Sequence, residues 1–162
     1  MEETQKAREQ IWQSVSDLSD QQLNEHVEAG KWSIMQVLEH LYLTEQTVLK
    51  GISNALESEE NNPTEPKPVH LVVDRTRKLE APAHLVPSDT FTTLQEIKSK
   101  LDQSREALTT LVAGISEDDL KQKSFQHRNL GLLNVEQWIS FIGYHEGRHL
   151  AQIEEYKEKL KQ

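Results

Sequence analysis

The 162-residue chain contains no cysteine. Disulfide bonds, thiolate metal ligands and a cysteine nucleophile are therefore excluded, and a bound metal would need histidine, aspartate or glutamate ligands. The apolar runs are too short for a membrane-spanning helix, and the charged N-terminal stretch "MEETQKAREQ" has no apolar segment of the kind found in signal peptides. We therefore expect a cytoplasmic protein with no membrane partner.

Positive charge is scarce as well. The formal net charge is −9, and no block of lysine and arginine is long enough to follow a phosphate backbone. This balance disfavours nucleic acid as a partner, so we expect a small-molecule substrate. The length is typical of one domain with a buried core, and residues 1–162 are assigned to a single domain.

Four long amphipathic patterns predict four helices. The first is expected over about residues 2–18, and the third is expected to start near Ser88, after Pro87. Ser33 and Asn134 are the predicted N-caps of the second and fourth helices, because a glutamine three residues later completes a capping box in both cases. The fourth helix is expected to continue to the C-terminus.

All five prolines lie between the second and third helices. Proline removes a backbone donor, so no long helix can pass through this segment, which we assign to residues 57–88 as a crossover. A faint internal repeat, "LSDQQL" and "ISEDDL", follows the first and third helices. Two helical hairpins joined by a long crossover predict an all-α protein with a four-helix bundle.

The histidines carry the main functional signal. His145 and His149 are four residues apart, and a turn of about 100° per residue places both on the apolar stripe of the fourth helix with Trp138 and Tyr156. Buried neutral imidazoles need partners for both ring nitrogens. A divalent ion bound by the two side chains would meet this demand. Hydrogen bonds to neighbours such as Gln152 or Tyr156 are the alternative.

His40 is the predicted third ligand, because it is the only other histidine inside a helical pattern. It lies at the edge of the apolar stripe of the second helix, a position that suits a ligand at the mouth of a bundle. The alternative is a half-exposed histidine with no role. The other four histidines lie in predicted connectors, where surface exposure is the default: His26, His70, His84 and His127.

The histidine-bearing helices resemble the signature helices of the DinB-like superfamily. The resemblance lies in "KWSIMQVLEHLYLTE" (31–45), in "NVEQWISFIGYHEGRHLAQIEEY" (134–156), and in the lead into the third helix at 81–108. It implies an up-down-down-up four-helix bundle that often forms homodimers, and a metal site whose three ligands match His40, His145 and His149. Arg148 stands before His149 where many relatives have a histidine, a change that leaves the three ligand positions intact.

The same resemblance implies an activity, since characterised relatives include transferases of bacillithiol-type and mycothiol-type thiols. In such a reaction a divalent ion, expected to be zinc or nickel, lowers the pKa of a low-molecular-weight thiol, which then attacks an electrophile. Arg75, Arg77 and Lys78 of the crossover either contact carboxylates of that thiol or are solvated surface charges.

Two other functions stay open. A metal-dependent hydrolase would use Glu39 or Glu146 as a base, although each points roughly 100° away from its neighbouring histidine. A non-catalytic metal-binding protein of a stress response is the third hypothesis.

Gly143 and Gly147 are predicted to lie on the face of the fourth helix opposite the histidines. Each costs about 1 kcal/mol relative to alanine in a helix interior, so a strip of two indicates that another segment approaches closely. A second subunit is the predicted neighbour, and the crossover segment of the same chain is the alternative.

Overall fold

The computed structural model describes residues 1–76 and 80–161, and the four long predicted helices are present in it. In chain order the helices are α1 (Glu2–Val15), α2 (Asp20–Leu23), α3 (Ile34–Glu57), α4 (Leu94–Ala113), α5 (Glu117–Gln122) and α6 (Val135–Leu160). Two 3₁₀ turns lie in the crossover, at Val69–Val73 and Ala83–Leu85. Two strands, β1 (Ser124–His127) and β2 (Gly131–Asn134), form an antiparallel hairpin. The predicted four-helix bundle is confirmed, and it consists of α1, α3, α4 and α6.

Side-chain caps set the first residues of α3 and α6. Ser33 Oγ accepts a hydrogen bond from the backbone N–H of Gln36, and the Gln36 side chain accepts one from the backbone N–H of Ser33. Asn134 and Gln137 repeat the arrangement at α6. Each pair satisfies amide groups that the first helical turn leaves without partners. Both predicted helix starts are confirmed. They could be predicted from the sequence because the four residues that form each cap are adjacent in it.

α4 begins later than the sequence predicts, and the crossover accordingly covers residues 58–93. Thr93 is the N-cap, and the residues before it are held out of the helix by tertiary contacts. The Asn24 side chain exchanges two hydrogen bonds with the backbone of Thr92, and the Asp20 carboxylate accepts one from the N–H of Leu94 at 2.8 Å. These partners belong to α2 and its C-cap, which are distant in sequence.

α2, α5 and the hairpin are elements that the sequence patterns did not predict. α1 ends at Val15 rather than near residue 18, because Ser19 opens α2 with a capping box of its own. The hairpin turn requires a positive φ of 78° at Gly131, a conformation that glycine adopts without strain. Trp138 Nε1 donates to the carbonyl of Phe125 at 3.2 Å and so attaches β1 to α6.

Contacts between α1 and α6 show that these helices run parallel. Thr4 Oγ1 donates to the carbonyl of Ile139 at 3.0 Å, near the start of both helices. Ser14, at the end of α1, bonds to Glu154 in the second half of α6. The contact positions therefore advance in the same direction along both helices.

α3 and α4 are parallel to each other and antiparallel to α6. Lys100 Nζ lies 4.6 Å from the ring centre of Tyr42, and Gln46 donates to Ser104 one turn farther along both helices. The first half of α3 packs with the second half of α6 in one hydrophobic cluster, and the remaining halves pack in a second cluster. The up-down-down-up order is thus confirmed. In the part of the chain that the structure describes, no helix combines the length and apolarity needed to cross a membrane.

The glycine strip of α6 faces segments of the same chain. A Cβ atom at Gly143 would lie 3.0 Å from Oγ1 and 3.2 Å from Cα of Thr4 in α1, and one at Gly147 would lie 3.6 Å from Val73 of the crossover. The expectation that a second subunit occupies this strip is wrong, because α1 and the crossover make the close approach. The homodimer itself stays a prediction, which light scattering of the purified protein tests.

Candidate metal centre

α3 and α6 bring the three predicted ligands together. His40 Nε2 lies 3.3 Å from His145 Nε2, which in turn lies 3.2 Å from His149 Nε2. Within residues 1–76 and 80–161, these three form the one group of histidine, aspartate or glutamate side chains whose ligand atoms all lie within 4.8 Å of one another. The antiparallel packing of α3 against α6 produces this meeting, since it places the start of α3 beside the second half of α6.

Hydrogen bonds fix the tautomers of His40 and His149. His40 Nδ1 donates to the carbonyl of Leu85 at 2.7 Å, and a carbonyl can only accept. His149 Nδ1 lies 2.7 Å from Gln152 Oε1, and the Gln152 amide nitrogen donates to the Tyr156 hydroxyl at 3.0 Å. A neutral imidazole has one N–H, so these bonds leave the Nε2 lone pairs of both rings available.

Burial keeps these imidazoles neutral. Desolvation lowers the pKa of His40, and it lowers the pKa of His149 to about 3, with His40 acting in the same direction. The pKa of His145 falls well below its usual 6.5, mainly because of desolvation and then because of His149 and His40. Loss of hydration disfavours the charged form of each ring. The neutral form is the one that binds a metal ion.

The three nitrogens fit a divalent ion. Metal–nitrogen bonds of about 2.0–2.1 Å at a tetrahedral centre require nitrogens about 3.3–3.4 Å apart. The two separations that involve His145 are 3.2 and 3.3 Å, and all three ligand atoms lie within 4.8 Å of one another. Hydrogen bonding accounts for them less well, because a single N–H on His145 Nε2 could serve only one of its two neighbours. Three protein ligands would also leave a coordination position for an exogenous ligand.

His40 is more deeply buried than its place at the edge of the helical stripe indicates. It is 5% exposed. The crossover covers it, because Leu85 at the end of the second 3₁₀ turn supplies the carbonyl that binds Nδ1. The Trp32 ring covers another side at a centre-to-centre distance of 5.1 Å. A long connection far away in sequence therefore completes the environment of this ligand.

His127 contradicts its predicted surface position. It lies on β1, is 8% exposed, and its ring contacts the Phe141 ring at 4.7 Å. Phe141 in turn stacks on His145 at 5.3 Å with an interplanar angle of 28°. The surface prediction was wrong because the unpredicted hairpin folds β1 against α6. The remaining three connector histidines are exposed as predicted: His26, His70 and His84.

Glu146, one of the two glutamates predicted as a base for hydrolysis, is not free to act as one. Glu146 is buried and binds two guanidinium groups, those of Arg8 and Arg105, in the interior of the bundle. Glu39 accepts a hydrogen bond from Ser88 Oγ at 3.2 Å.

The crossover cations have other partners or lie outside the described residues. Arg75 forms a 2.8 Å ion pair with Glu155, and both side chains are partly exposed. Arg77 and Lys78 fall outside the residues that the structure describes. Arg148, the residue before the last ligand, donates to two backbone carbonyls of the crossover at 3.2 and 2.5 Å. Its role in this structure is to join the crossover to α6.

Sequence comparisons place the chain among known proteins. The family model described as the DinB superfamily matches residues 3–153. YuaE of Bacillus subtilis (strain 168), an uncharacterised protein, is 38% identical over 154 residues, which cover 95% of this chain and 94% of YuaE. A protein of Oceanobacillus iheyensis named "Putative metal-dependent hydrolase" is 27% identical over 143 residues, covering 88% of this chain and 75% of that protein.

Structural comparisons give the same bundle. TT2238, described as a four-helix bundle protein, aligns with a TM-score of 0.64 and 18% identity over 95% of this chain and 94% of its own. YfiT from Bacillus subtilis, described as "a probable metal-dependent hydrolase with an unusual four-helix bundle topology", aligns with a TM-score of 0.66 and 17% identity, covering 99% and 85%. At these identities the likeness establishes the fold.

Proposed function

The chain belongs to the DinB superfamily, and from that premise we propose that it is an enzyme that depends on a divalent metal ion. His40, His145 and His149 are the proposed ligands. One observation carries this proposal: three Nε2 atoms converge, and the hydrogen bonds of His40 and His149 leave both Nε2 lone pairs free. An all-nitrogen donor set favours zinc or nickel among the common divalent ions.

We propose further that the reaction transfers a low-molecular-weight thiol to an electrophilic small molecule. A divalent ion bound here would supply positive charge that lowers the pKa of a coordinated thiol. The chain contains no cysteine, so the reacting sulfur must arrive with the substrate. The similarity to YuaE of Bacillus subtilis makes bacillithiol the first thiol to test.

The protein's own residues orient the ligands and restrict water. Leu85 and Gln152 hold the outer nitrogens of His40 and His149, which sets the direction of each ring. The Trp32 ring lies against His40 and the Phe141 ring against His145, so apolar surface flanks the centre on two sides. Removal of water by such walls strengthens electrostatic interactions at the reacting atoms.

Hydrolysis at the same site is the second candidate function. It is favoured by the descriptions of two similar proteins as metal-dependent hydrolases. A hydrolase commonly places a carboxylate base beside the attacking water. Glu146 is held by two buried arginines, and the compact group of ligand atoms contains imidazoles alone. For this reason we rank thiol transfer above hydrolysis.

Thiol consumption by the metal-loaded protein tests the proposal. Zinc-loaded or nickel-loaded protein is incubated with bacillithiol and an alkylating electrophile, and parallel samples contain ester and amide substrates. We expect equal amounts of thiol loss and thioether product with the wild type, and background rates with His40→Ala. His84→Ala is the matched control, because that histidine is exposed and lies outside the centre. Ester or amide cleavage without thiol transfer would establish the second candidate, and metal binding without either reaction would contradict an enzymatic role.

A further inference from the structure

His127 is a buried histidine that the proposed metal centre does not use. It is 8% exposed and lies on β1. Its ring contacts Trp138 at 5.2 Å and Phe141 at 4.7 Å between centres, so two aromatic side chains of α6 hold it in place. Buried polar groups are normally hydrogen-bonded, so the partners of both ring nitrogens of His127 have to be identified.

The backbone of the hairpin turn determines where the His127 proton lies. Nδ1 accepts hydrogen bonds from the backbone N–H groups of Asn129 at 3.0 Å and Leu130 at 3.2 Å. An atom that accepts from two donors carries no proton, so the N–H of the neutral ring is at Nε2. Burial lowers the pKa of His127, which keeps the ring neutral and this single tautomer populated.

The Nε2–H group of His127 remains available to a ligand. Among the described residues no side chain or backbone carbonyl accepts from it. Within those same residues the one fully buried side-chain polar atom without a partner is Ser124 Oγ, so His127 Nε2 is reached by solvent. The ring is therefore fixed by its neighbours and by two backbone amides, while its donor edge is open.

The open donor lies near the proposed metal centre. The Phe141 ring contacts both imidazoles, with centres 4.7 Å from that of His127 and 5.3 Å from that of His145. The two imidazole centres are thus at most about 10 Å apart. A small molecule bound at the three-histidine centre would need to span no more than about 10 Å to reach His127.

We propose that His127 is a specificity-determining residue whose Nε2–H donates a hydrogen bond to a carboxylate oxygen of the thiol substrate. The thiol sulfur lies at the three-histidine centre, and the carboxylate lies beyond Phe141. This inference rests on the proposed thiol transfer and adds the chemical class of the thiol, namely one that carries a carboxylate at a defined distance from its sulfur. A hydrogen bond to a charged acceptor accounts for roughly a tenfold or greater preference over a thiol without one.

Two substitutions separate the donor from the rest of the side chain. In His127→Asn, the side-chain oxygen replaces Nδ1 as acceptor for the turn amides, whereas no donor reaches the Nε2 position. In His127→Gln, the side-chain amide places an N–H near the Nε2 position. Circular dichroism and metal content of both variants should equal those of the wild type, because neither substitution alters a proposed ligand.

Binding is measured with cobalt-loaded protein, whose thiolate-to-cobalt absorption reports the sulfur directly. The probes are ω-mercaptocarboxylates from mercaptoacetate to 6-mercaptohexanoate and the alkanethiols of matching chain length. We expect the wild type to bind one chain length at least about tenfold more tightly than its matched alkanethiol. His127→Asn should lose this preference while binding alkanethiols like the wild type, and His127→Gln should retain part of it.

The outcomes distinguish this inference from the function on which it rests. A preference that survives in His127→Asn, or that is absent from the wild type, overturns the role of His127 and leaves thiol transfer in place. A wild type that shows no thiolate absorption with any probe overturns thiol transfer and this inference together. If His127→Asn fails to fold, ¹⁵N spectra of the zinc-loaded wild type decide the matter. The His127 Nε2–H resonance should shift with the preferred mercaptocarboxylate and not with its alkanethiol, and equal shifts would refute the proposal.

Discussion

Glu146→Gln should destabilise the protein strongly, because Glu146 joins two buried arginines in the interior of the bundle. Arg8 Nε donates to Glu146 Oε1 at 2.6 Å, and Arg105 Nη2 donates to both carboxylate oxygens at 3.1 and 3.0 Å. Glu45 completes the group, 2.7 Å from Arg105 and 3.3 Å from Arg8. All four side chains are at most 6% exposed. One residue from each long helix contributes to this cluster.

The expected loss is about 3–5 kcal/mol, the range found when one partner of a buried ion pair is removed. Glutamine has nearly the shape of glutamate, so the change creates no cavity. It leaves two guanidinium charges to share the carboxylate of Glu45, inside a region where water cannot replace the lost partner. Burial raises the pKa of Glu146, whereas the neighbouring charges of Arg8 and Arg105 act to lower it.

Urea denaturation of the metal-free protein measures the loss, and Glu155→Gln is the matched control. Glu155 also pairs with an arginine at 2.8 Å, but both side chains are partly exposed, so its loss should be at most about 1 kcal/mol. Equal effects of the two substitutions would refute the structural role of the cluster. If Glu146→Gln instead kept full stability and lost activity, Glu146 would act in the chemistry, and the hydrolase hypothesis would regain its base.

Three further predictions concern the imidazoles and the glycine strip. The metal-free protein should lose stability as pH falls from 6.5 towards about 3, because His149 takes up a proton in the unfolded chain and not in the folded one. The free energy of unfolding should fall by roughly 1.4 kcal/mol per pH unit from this residue. Denaturation at each pH checks this, and a stability that does not change with pH contradicts it. Gly147→Ala should raise the free energy of unfolding by up to about 1 kcal/mol. Gly143→Ala should raise it by less, or lower it, because the new Cβ would lie 3.2 Å from the Cα of Thr4. Equal melting temperatures of the two variants would refute this. The His145→Ala, His149→Ala double variant should stay helical by circular dichroism but lose the bound ion, about one per chain in the wild type, and full metal occupancy would disprove the proposed site.

The sequence by itself determined the features that depend on residues close together in the chain. The caps at Ser33 and Asn134 each involve four consecutive residues, and the structure has both as predicted. The spacing of His145 and His149 places two imidazoles on one helical face for the same reason, since a helix brings residues four apart together. His40 was predicted as the third ligand because it is the only other histidine inside a helical pattern, and the fold brings its Nε2 to 3.3 Å from that of His145.

The tertiary structure decided what depends on segments far apart in the chain. The start of α4 is set by side chains of α2, and the burial of His40 is set by Leu85 of the crossover. The buried cluster around Glu146 draws one residue from each long helix, and the position of His127 follows from a hairpin that packs on α6. Local propensity cannot specify such contacts, because each partner is supplied by the packing of the whole bundle and each contact gains its strength from the burial that this packing creates.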